Sequence, residues 1–281
     1  MNNSIQTEVI RQGYGAALSE VYLLFQSRDL RNKVLVLVEG PDDKLVYSNV
    51  LKEDAVYLLP KNISFHQIVL SEVEKKFPTR IISLRDADFN NANLNPPPCA
   101  SMFFTDAHDL ETMICQNHCI GEIVGEEYNS YCDGIDIYQL SEILKDYSYM
   151  KWYNYNNHRN LAFKNLNTIS LYEEGLLGQR DKLFVKVKGV SPNNTAKQEE
   201  LDSFQNSHSI VEILSITNGH DLMDCVYCEI QKRKGGNLLK KNLKKTILSN
   251  YSVQLFCGTY LYSKLAQWCN NNNQNILRLP S

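Results

Sequence analysis

The chain has 281 residues, 43% of them hydrophobic, and a formal net charge of −3, so it carries enough apolar material for a packed core. No apolar run approaches the roughly 20 residues that a bilayer-spanning helix needs, and the first residues lack the cationic start and apolar block of a signal peptide. We therefore expect a cytoplasmic protein with no membrane association.

The charge is unevenly distributed along the chain. Residues 1–150 contain 12 Lys and Arg against 22 Asp and Glu, a balance of −10, whereas residues 151–281 contain 17 against 10, a balance of +7. This asymmetry favours a metal site in the first half and a polyanion contact in the second. The alternative is that the charges only keep the surface soluble.

The first 125 residues alternate between helical and strand patterns. Helical spacing predicts a helix over 7–28, and the uninterrupted apolar run "VLVLV" (34–38) is typical of a strand covered on both faces. A helix follows from Pro41, with Asp42 and Asp43 in its first turn. Further strands are predicted at 55–59, 80–84 and 101–104, with a helix over 64–77 and another from His108 onward. This alternation predicts parallel strands joined by crossovers.

Beyond about residue 125 the pattern becomes mostly helical, apart from one possible strand at "KLFVKVKG" (182–189) and a helical segment expected at "SIVEILSI" (209–216). The predicted fold class is therefore α/β, a Rossmann-like parallel sheet flanked by helices and followed by a mostly helical C-terminal domain. The predicted divisions are an N-terminal helix over 1–32, a catalytic domain over 33–125 and the helical domain over 126–281.

Carboxylates follow three of the predicted strands. Glu39 comes one residue after the first strand, Asp86 and Asp88 follow the third, and Asp106, Asp109 and Glu111 follow the fourth. Because the carboxyl ends of parallel strands meet at one edge of a sheet, these acids are expected to converge there. Clustered carboxylates repel unless a cation neutralises them, and their oxygens suit Mg²⁺ or Mn²⁺. Asp42, Asp106 and Asp109 could instead be helix caps.

Other chemistries remain open from the residues alone. "CVYC" (Cys225, Cys228) and "CQNHC" (Cys115, His118, Cys119) have zinc-like spacings, but neither has a second ligand pair at the usual distance. "DADF" could belong to a phosphatase or a sugar transferase, although Asn90 stands where a phosphatase would carry Thr or Val.

The pair "VEGPDD" and "RDAD" resembles the TOPRIM domain of topoisomerases, primases and OLD-type nucleases, over residues 33 to about 115. The resemblance implies a metal-dependent phosphodiesterase in which Glu39, Asp86 and Asp88 bind Mg²⁺ or Mn²⁺. Asp43 stands where OLD-type nucleases often carry a second acid, and Glu111 is a looser candidate for the acid beyond the fourth strand. No tyrosine-cleavage domain or zinc ribbon accompanies the match, unlike in topoisomerases and primases.

"HDLETMI" (108–114) and "NGHDLMDCV" (218–226) are similar to segments of short TOPRIM-like proteins encoded beside ABC/OLD-type ATPases in bacterial anti-phage loci, including the effector of the PARIS system. That resemblance implies a toxin nuclease that a partner ATPase keeps inactive. It also implies a homodimeric active form and tRNA as the nucleic-acid substrate. The resemblance makes His220 a candidate catalytic base, and His108 is a weaker one.

The second half carries candidate nucleic-acid contacts. The segment "KRKGGNLLKKNLKK" (232–245) places Lys240, Lys241, Lys244 and Lys245 on one side of a helix, where they could bind phosphates or simply be solvated. Trp152, Tyr153 and Tyr155 could stack on unpaired bases or pack in a loop. Strand alternation points Arg85 away from the acids.

The hypothesis from the sequence is hydrolysis of phosphodiester bonds with one or two divalent ions bound by Glu39, Asp86, Asp88, Asp43 and Glu111. An RNA substrate is favoured over DNA. The alternative is a non-catalytic TOPRIM-like module that serves as a sensor or docking partner of an ATPase.

Overall fold

A computed structural model describes residues 15–116, 120–124, 126–234 and 239–280. Within these residues four parallel strands form one sheet in the order β2-β1-β3-β4. The strands are β1 (Val34–Val38), β2 (Val56–Pro60), β3 (Ile81–Arg85) and β4 (Met102–Phe104). The predicted α/β class and the parallel sheet are thus confirmed, as is the helical character of the later part of the chain.

The central strands β1 and β3 are buried along their whole length. Their continuous Val, Leu and Ile runs suit strands covered on both faces. The two strands pair in register from Leu35 beside Ile81 to Leu37 beside Ser83. Consequently their carboxyl ends lie next to each other.

Helices surround the sheet and make up most of the later sequence. In chain order they are α1 (15–26), α2 (Pro41–Val50), α3 (Ile63–Val73), α4 (Leu110–Gln116), α5 (Ile120–Val124), α6 (Glu126–Cys132), α7 (Ile137–Asn157), α8 (Thr168–Glu173), α9 (Arg180–Gly189), α10 (Gln198–Ser207), α11 (Gly219–Lys234), α12 (Lys240–Asn250), α13 (Val253–Cys257) and α14 (Tyr260–Asn272). The predicted helix over 7–28 is described from residue 15 onward, and its earlier part lies outside the described residues.

The described residues form two compact units. Unit 1 contains the chain up to Asp86, Pro97–Thr105 and the chain from Tyr251 onward, whereas unit 2 contains Ala87–Pro96 and Asp106–Asn250. Both units combine segments that are distant in sequence, unlike the consecutive segments 1–32, 33–125 and 126–281 predicted above.

Unit 1 contains the whole sheet together with α1, α2, α3, α13 and α14. Its last segment returns to the start of the sheet, where Leu277 forms an antiparallel bridge with Leu51. The Lys52 N–H donates to the Ile276 carbonyl at 2.8 Å, and the Arg278 side chain donates to the Leu51 carbonyl at 2.8 Å. The end of the chain is therefore part of the sheet unit.

Unit 2 is built around α11, which packs against α4, α6, α7, α8 and α12. The core includes Leu222, Val226 and Ile230, which recur on one face of α11 and are buried. Unit 2 therefore gathers the N-terminal end of α11, with His220 and Asp221, next to α4, with Glu111.

Two predicted elements are wrong. Residues 182–189 lie in α9, because Leu183, Phe184 and Val187 are buried at helical spacing while Val185 is 70% exposed. Residues 209–216 contain only a 3-10 turn, Ile213–Ser215, instead of a helix. Among the described helices, none combines the length and apolar character required to cross a bilayer.

Candidate active site

In unit 1, the carboxylate of Glu39 lies between the ends of β1 and β3. Its Oε1 accepts from the Asp86 N–H at 3.2 Å and lies 3.4 Å from Arg85 Nε. The side chain is about one-fifth exposed. The structure thus brings together Glu39 and the backbone of Asp86, as the parallel order of the strands predicts.

Arg85 is a member of this site, and the prediction that it points away is wrong. Continuing the β1–β3 register by two residues past Leu37 and Ser83 puts Arg85 directly beside Glu39, so both side chains emerge on the same face. The guanidinium is 7% exposed and lies 5.8 Å from the ring centre of Phe104. A buried cation therefore compensates part of the charge of Glu39.

Asp43 fixes the turn that follows Glu39. Its Oδ2 accepts from the Gly40 N–H at 2.8 Å, closing a capping box at the start of α2, where Pro41 occupies the first turn. Gly40 itself has an extended backbone, with φ −149°. The sequence predicts Asp43 as a metal ligand. In the structure its carboxylate holds the turn at the start of α2, a role that needs no metal.

The donor chemistry of these acids fits a hard divalent ion. Among the residues that the structure describes, no group of three His, Cys, Asp or Glu side chains is placed to hold a metal ion. Glu39, Asp43 and Asp86 belong to unit 1, whereas Asp88 and Glu111 belong to unit 2. The convergence of Glu39, Asp86 and Asp88 on one ion stays a prediction.

Asp88 has an unusual backbone conformation. Its φ is +49°, in the left-handed region that costs most residues energy and that Asp tolerates better than most. The Asp88 N–H donates to the carbonyl of His108 at 2.6 Å, within unit 2. A local constraint of this kind is frequent at functional positions.

A buried polar network in unit 2 is centred on Asp109. Its carboxylate accepts from the Gly219 N–H at 2.6 Å, from the N–H and hydroxyl of Thr112 at 2.9 and 2.8 Å, and from His108 Nδ1 at 3.0 Å. Burial alone would raise the pKa of Asp109, but His108 and these donors hold it below its ordinary value. Asp109 is therefore the cap of α4, as the alternative interpretation proposed, and also binds the first residue of α11.

Glu111 lies beside two basic side chains that the sequence assigned to other roles. Its Oε1 is 2.8 Å from Lys244 Nζ and 3.7 Å from Nδ1 of the exposed His220. Glu111 is 8% exposed. Lys240 likewise forms an ion pair with the buried carboxylate of Asp224. Two of the four lysines predicted to bind nucleic acid thus neutralise acids of their own unit.

The structure adds partners that the sequence did not reveal. Asp221, next to His220, forms an ion pair with Lys151 and accepts from the Thr168 hydroxyl at 2.7 Å. At the start of α11, His220 therefore contacts an acid of α4, and Asp221 contacts a base of α7. The signal in the sequence was the polar group "NGHD" ahead of an apolar run, which marks a helix start but does not name its partners.

The structure locates most residues of the alternative zinc-binding and base-stacking interpretations. Cys225 and Cys228 lie in α11 and are buried, and burial raises the pKa of the Cys228 thiol to about 11. His118 and Cys119 lie outside the described residues. Trp152 and Tyr153 are each 1% exposed, so packing is correct for both, but they lie in helix α7 and not in a loop; Tyr155 is about half exposed.

Comparison of the chain with protein-family models, with curated proteins and with solved structures finds no match. The TOPRIM resemblance therefore depends on the short motifs quoted above, and family membership stays a proposal.

Proposed function

We propose that the chain is a divalent-metal-dependent phosphodiesterase that cleaves nucleic acid. The observation that carries the proposal is the hydrogen bond from the Asp86 N–H to Glu39 at the adjoining carboxyl ends of the two central strands. In open parallel sheets, ligands bind at this edge. Two acidic residues side by side there are suited to Mg²⁺ or Mn²⁺.

In this proposal Glu39 and Asp86 hold the ion, with Asp88 completing the set that the TOPRIM resemblance implies. A bound Mg²⁺ or Mn²⁺ would supply Lewis-acid activation of the scissile phosphodiester. Asp43 holds the turn that orients Glu39, through its bond to the Gly40 N–H. Arg85, whose Nε lies 3.4 Å from Glu39 Oε1, orients that carboxylate.

The resemblance to proteins of anti-phage loci extends the proposal. It makes the chain a toxin effector that an ABC/OLD-type ATPase keeps inactive, that acts as a homodimer and that cleaves tRNA. The short motifs at 108–114 and 218–226 support this extension, since they contact each other within unit 2 through the bond from the Gly219 N–H to Asp109 and through the approach of His220 to Glu111.

A second candidate is a non-catalytic docking module for the same ATPase. The Arg85–Glu39 pair favours it, because a buried guanidinium already supplies a positive charge where a catalytic metal would act. The two candidates differ in one measurable property, because a docking module has no need to bind Mg²⁺ or Mn²⁺.

The deciding experiment titrates Mn²⁺ and Mg²⁺ into the full-length chain by calorimetry, using wild type, Glu39→Gln and Glu72→Gln. Glu72 is an exposed acid of unit 1 outside the site and serves as the matched control. We expect binding by wild type and Glu72→Gln, and at least tenfold weaker binding by Glu39→Gln. If the wild type binds neither Mn²⁺ nor Mg²⁺, the docking module becomes the better supported function.

The same three chains are then expressed in cells, and the ends of cellular RNA and DNA are sequenced. We expect new tRNA ends with wild type and Glu72→Gln, and none with Glu39→Gln. Equal cleavage by wild type and Glu39→Gln would refute the assignment of the active site.

A further inference from the structure

A groove between α2 and β2 in unit 1 has the size and lining of a nucleotide site. The first of two hollows in this groove has a volume of about 490 Å³, within the range of small-molecule pockets. Basic, hydroxyl and apolar side chains share the lining. They are Lys33, Lys44, Ser48, Leu51, Glu53, Val56, Tyr57 and Leu58.

A second hollow of about 580 Å³ adjoins the first and shares Lys33 and Glu53 with it. Lys52, Asp54 and Arg278 complete its lining. The two hollows lie side by side, and we call them together the basic groove. It follows α2 from Lys44, in the second turn, to Lys52, just past the end of that helix.

The cations of the basic groove contact neutral groups only. Lys33 Nζ donates to the Glu53 carbonyl at 2.7 Å, Lys52 Nζ donates to Asn275 Oδ1 at 2.6 Å, and Arg278 donates to a backbone carbonyl. Within the part of the chain that the structure describes, no carboxylate lies within ion-pair distance of these three or of Lys44. This distinguishes them from Lys240 and Lys244, whose charges are matched by acids.

From this combination we infer that the basic groove binds a single-stranded segment of nucleic acid. The half-buried ring of Tyr57, with Leu51 and Leu58, provides an apolar wall on which a base can stack. Lys44 and Lys33 are placed for the phosphates on either side of that base, and Lys52 and Arg278 for the next ones. The carboxylates of an acidic peptide would use the cations but would not stack on the apolar wall beside Tyr57.

The groove also has a defined relation to the proposed active site. Helix α2 starts two residues after Glu39 and has ten residues, which corresponds to a length of about 15 Å. A strand lying along the groove thus leads from the second hollow towards the Glu39 end of the helix. Its use as a substrate channel rests on the proposed function, whereas binding itself does not require cleavage.

The test measures fluorescence anisotropy of a labelled twelve-nucleotide oligo(U), titrated with the full-length Glu39→Gln chain at several KCl concentrations. Three variants of that chain are made separately: one with Lys44→Gln and Lys52→Gln, one with Tyr57→Leu, and one with Glu53→Gln. The matched control is Lys75→Gln with Lys145→Gln, two exposed lysines outside the groove, one in the turn after α3 and one in α7. Thermal melting of each chain shows whether the fold is retained.

We expect the Lys44/Lys52 variant to bind more weakly and to lower the slope of log K against log [KCl] by about 1.4, which corresponds to two phosphate contacts on a single strand. Tyr57→Leu should weaken binding about 5- to 100-fold with the slope unchanged. Glu53→Gln removes a repelling carboxylate and should tighten binding, a gain that damage to the fold would not produce.

Four results would overturn the inference. One is binding by every groove variant at the level of the lysine control, and another is no binding at all. The third is competition by polyglutamate together with no effect of Tyr57→Leu, which would assign the groove to an acidic protein. The fourth is equal affinity per site for UMP and oligo(U), which would restrict the ligand to a mononucleotide. Binding in the groove by a chain whose wild type cleaves nothing would uphold this inference and refute only the proposed function.

Discussion

Substitution of Gly219 by alanine should destabilise unit 2 severely. A Cβ at this position would lie 2.6 Å from Glu111 Cβ and closer still to Asp109 Oδ1, and both neighbours are buried. Such contacts force side chains or backbone to move. The carboxylate of Asp109 cannot retreat without losing its bond to the Gly219 N–H, and with it the connection between α4 and α11.

The magnitude follows from two contributions. Overpacking a core position typically costs about 1–3 kcal/mol, and a lost hydrogen bond to a buried charged group costs about 1.5–3 kcal/mol. We expect a loss of about 4 kcal/mol in the free energy of unfolding. For a chain of this size that corresponds to a decrease of about 10 °C in Tm.

The assay is urea and thermal unfolding of Gly219→Ala against Gly189→Ala. Gly189 ends α9 and an added Cβ there would meet nothing within 4 Å, so its substitution should be neutral or slightly stabilising. If both variants unfold at the same urea concentration as wild type, the close approach of α11 to Asp109 is incorrect.

Burial lowers the pKa of His66 from its ordinary 6.5 to about 4, although the ring contacts Ser83 Oγ at 2.8 Å. Because the pKa of His66 is lower in the folded chain than in the unfolded chain, its contribution to stability should be constant above pH 6.5 and fall as the pH drops from 6.5 towards 4. The expected loss is about 2 kcal/mol at pH 5. Urea unfolding at pH 7 and pH 5 measures this loss, and His66→Gln should show a smaller difference between the two pH values. Lys244→Met should leave Glu111 without its cation and cost about 1–2 kcal/mol. A double-mutant cycle with Glu111→Gln should then give a coupling near 1 kcal/mol, and a coupling of zero would refute the pair.

The positions of Glu39 and Asp86 could be predicted because they depend on local rules. A continuous apolar run gives a buried strand, alternation with helices gives parallel strands, and parallel strands bring their ends together. The same rules place Arg85 beside Glu39 once the register is known. Register is set by packing across strands, so alternation within one strand could not supply it.

The pairing of Lys244 with Glu111 could not be predicted, because the two residues are 133 positions apart and only the packing of α12 near α4 brings them together. A run of lysines has the same sequence pattern whether its charges face solvent, nucleic acid or a buried carboxylate. The error at 182–189 has a different origin. Val185 and Val187 alternate as in a strand, but burial of Phe184 shows the helical period.

The bridge between Leu51 and Leu277 has a consequence for biosynthesis. Strands β1 to β3 leave the ribosome early, yet the segment that hydrogen-bonds to Val50, Leu51 and Lys52 is translated only after unit 2. During synthesis, the segments of unit 2 emerge between the two portions of unit 1. The sheet unit that carries Glu39 therefore cannot be completed until all of unit 2 has left the ribosome.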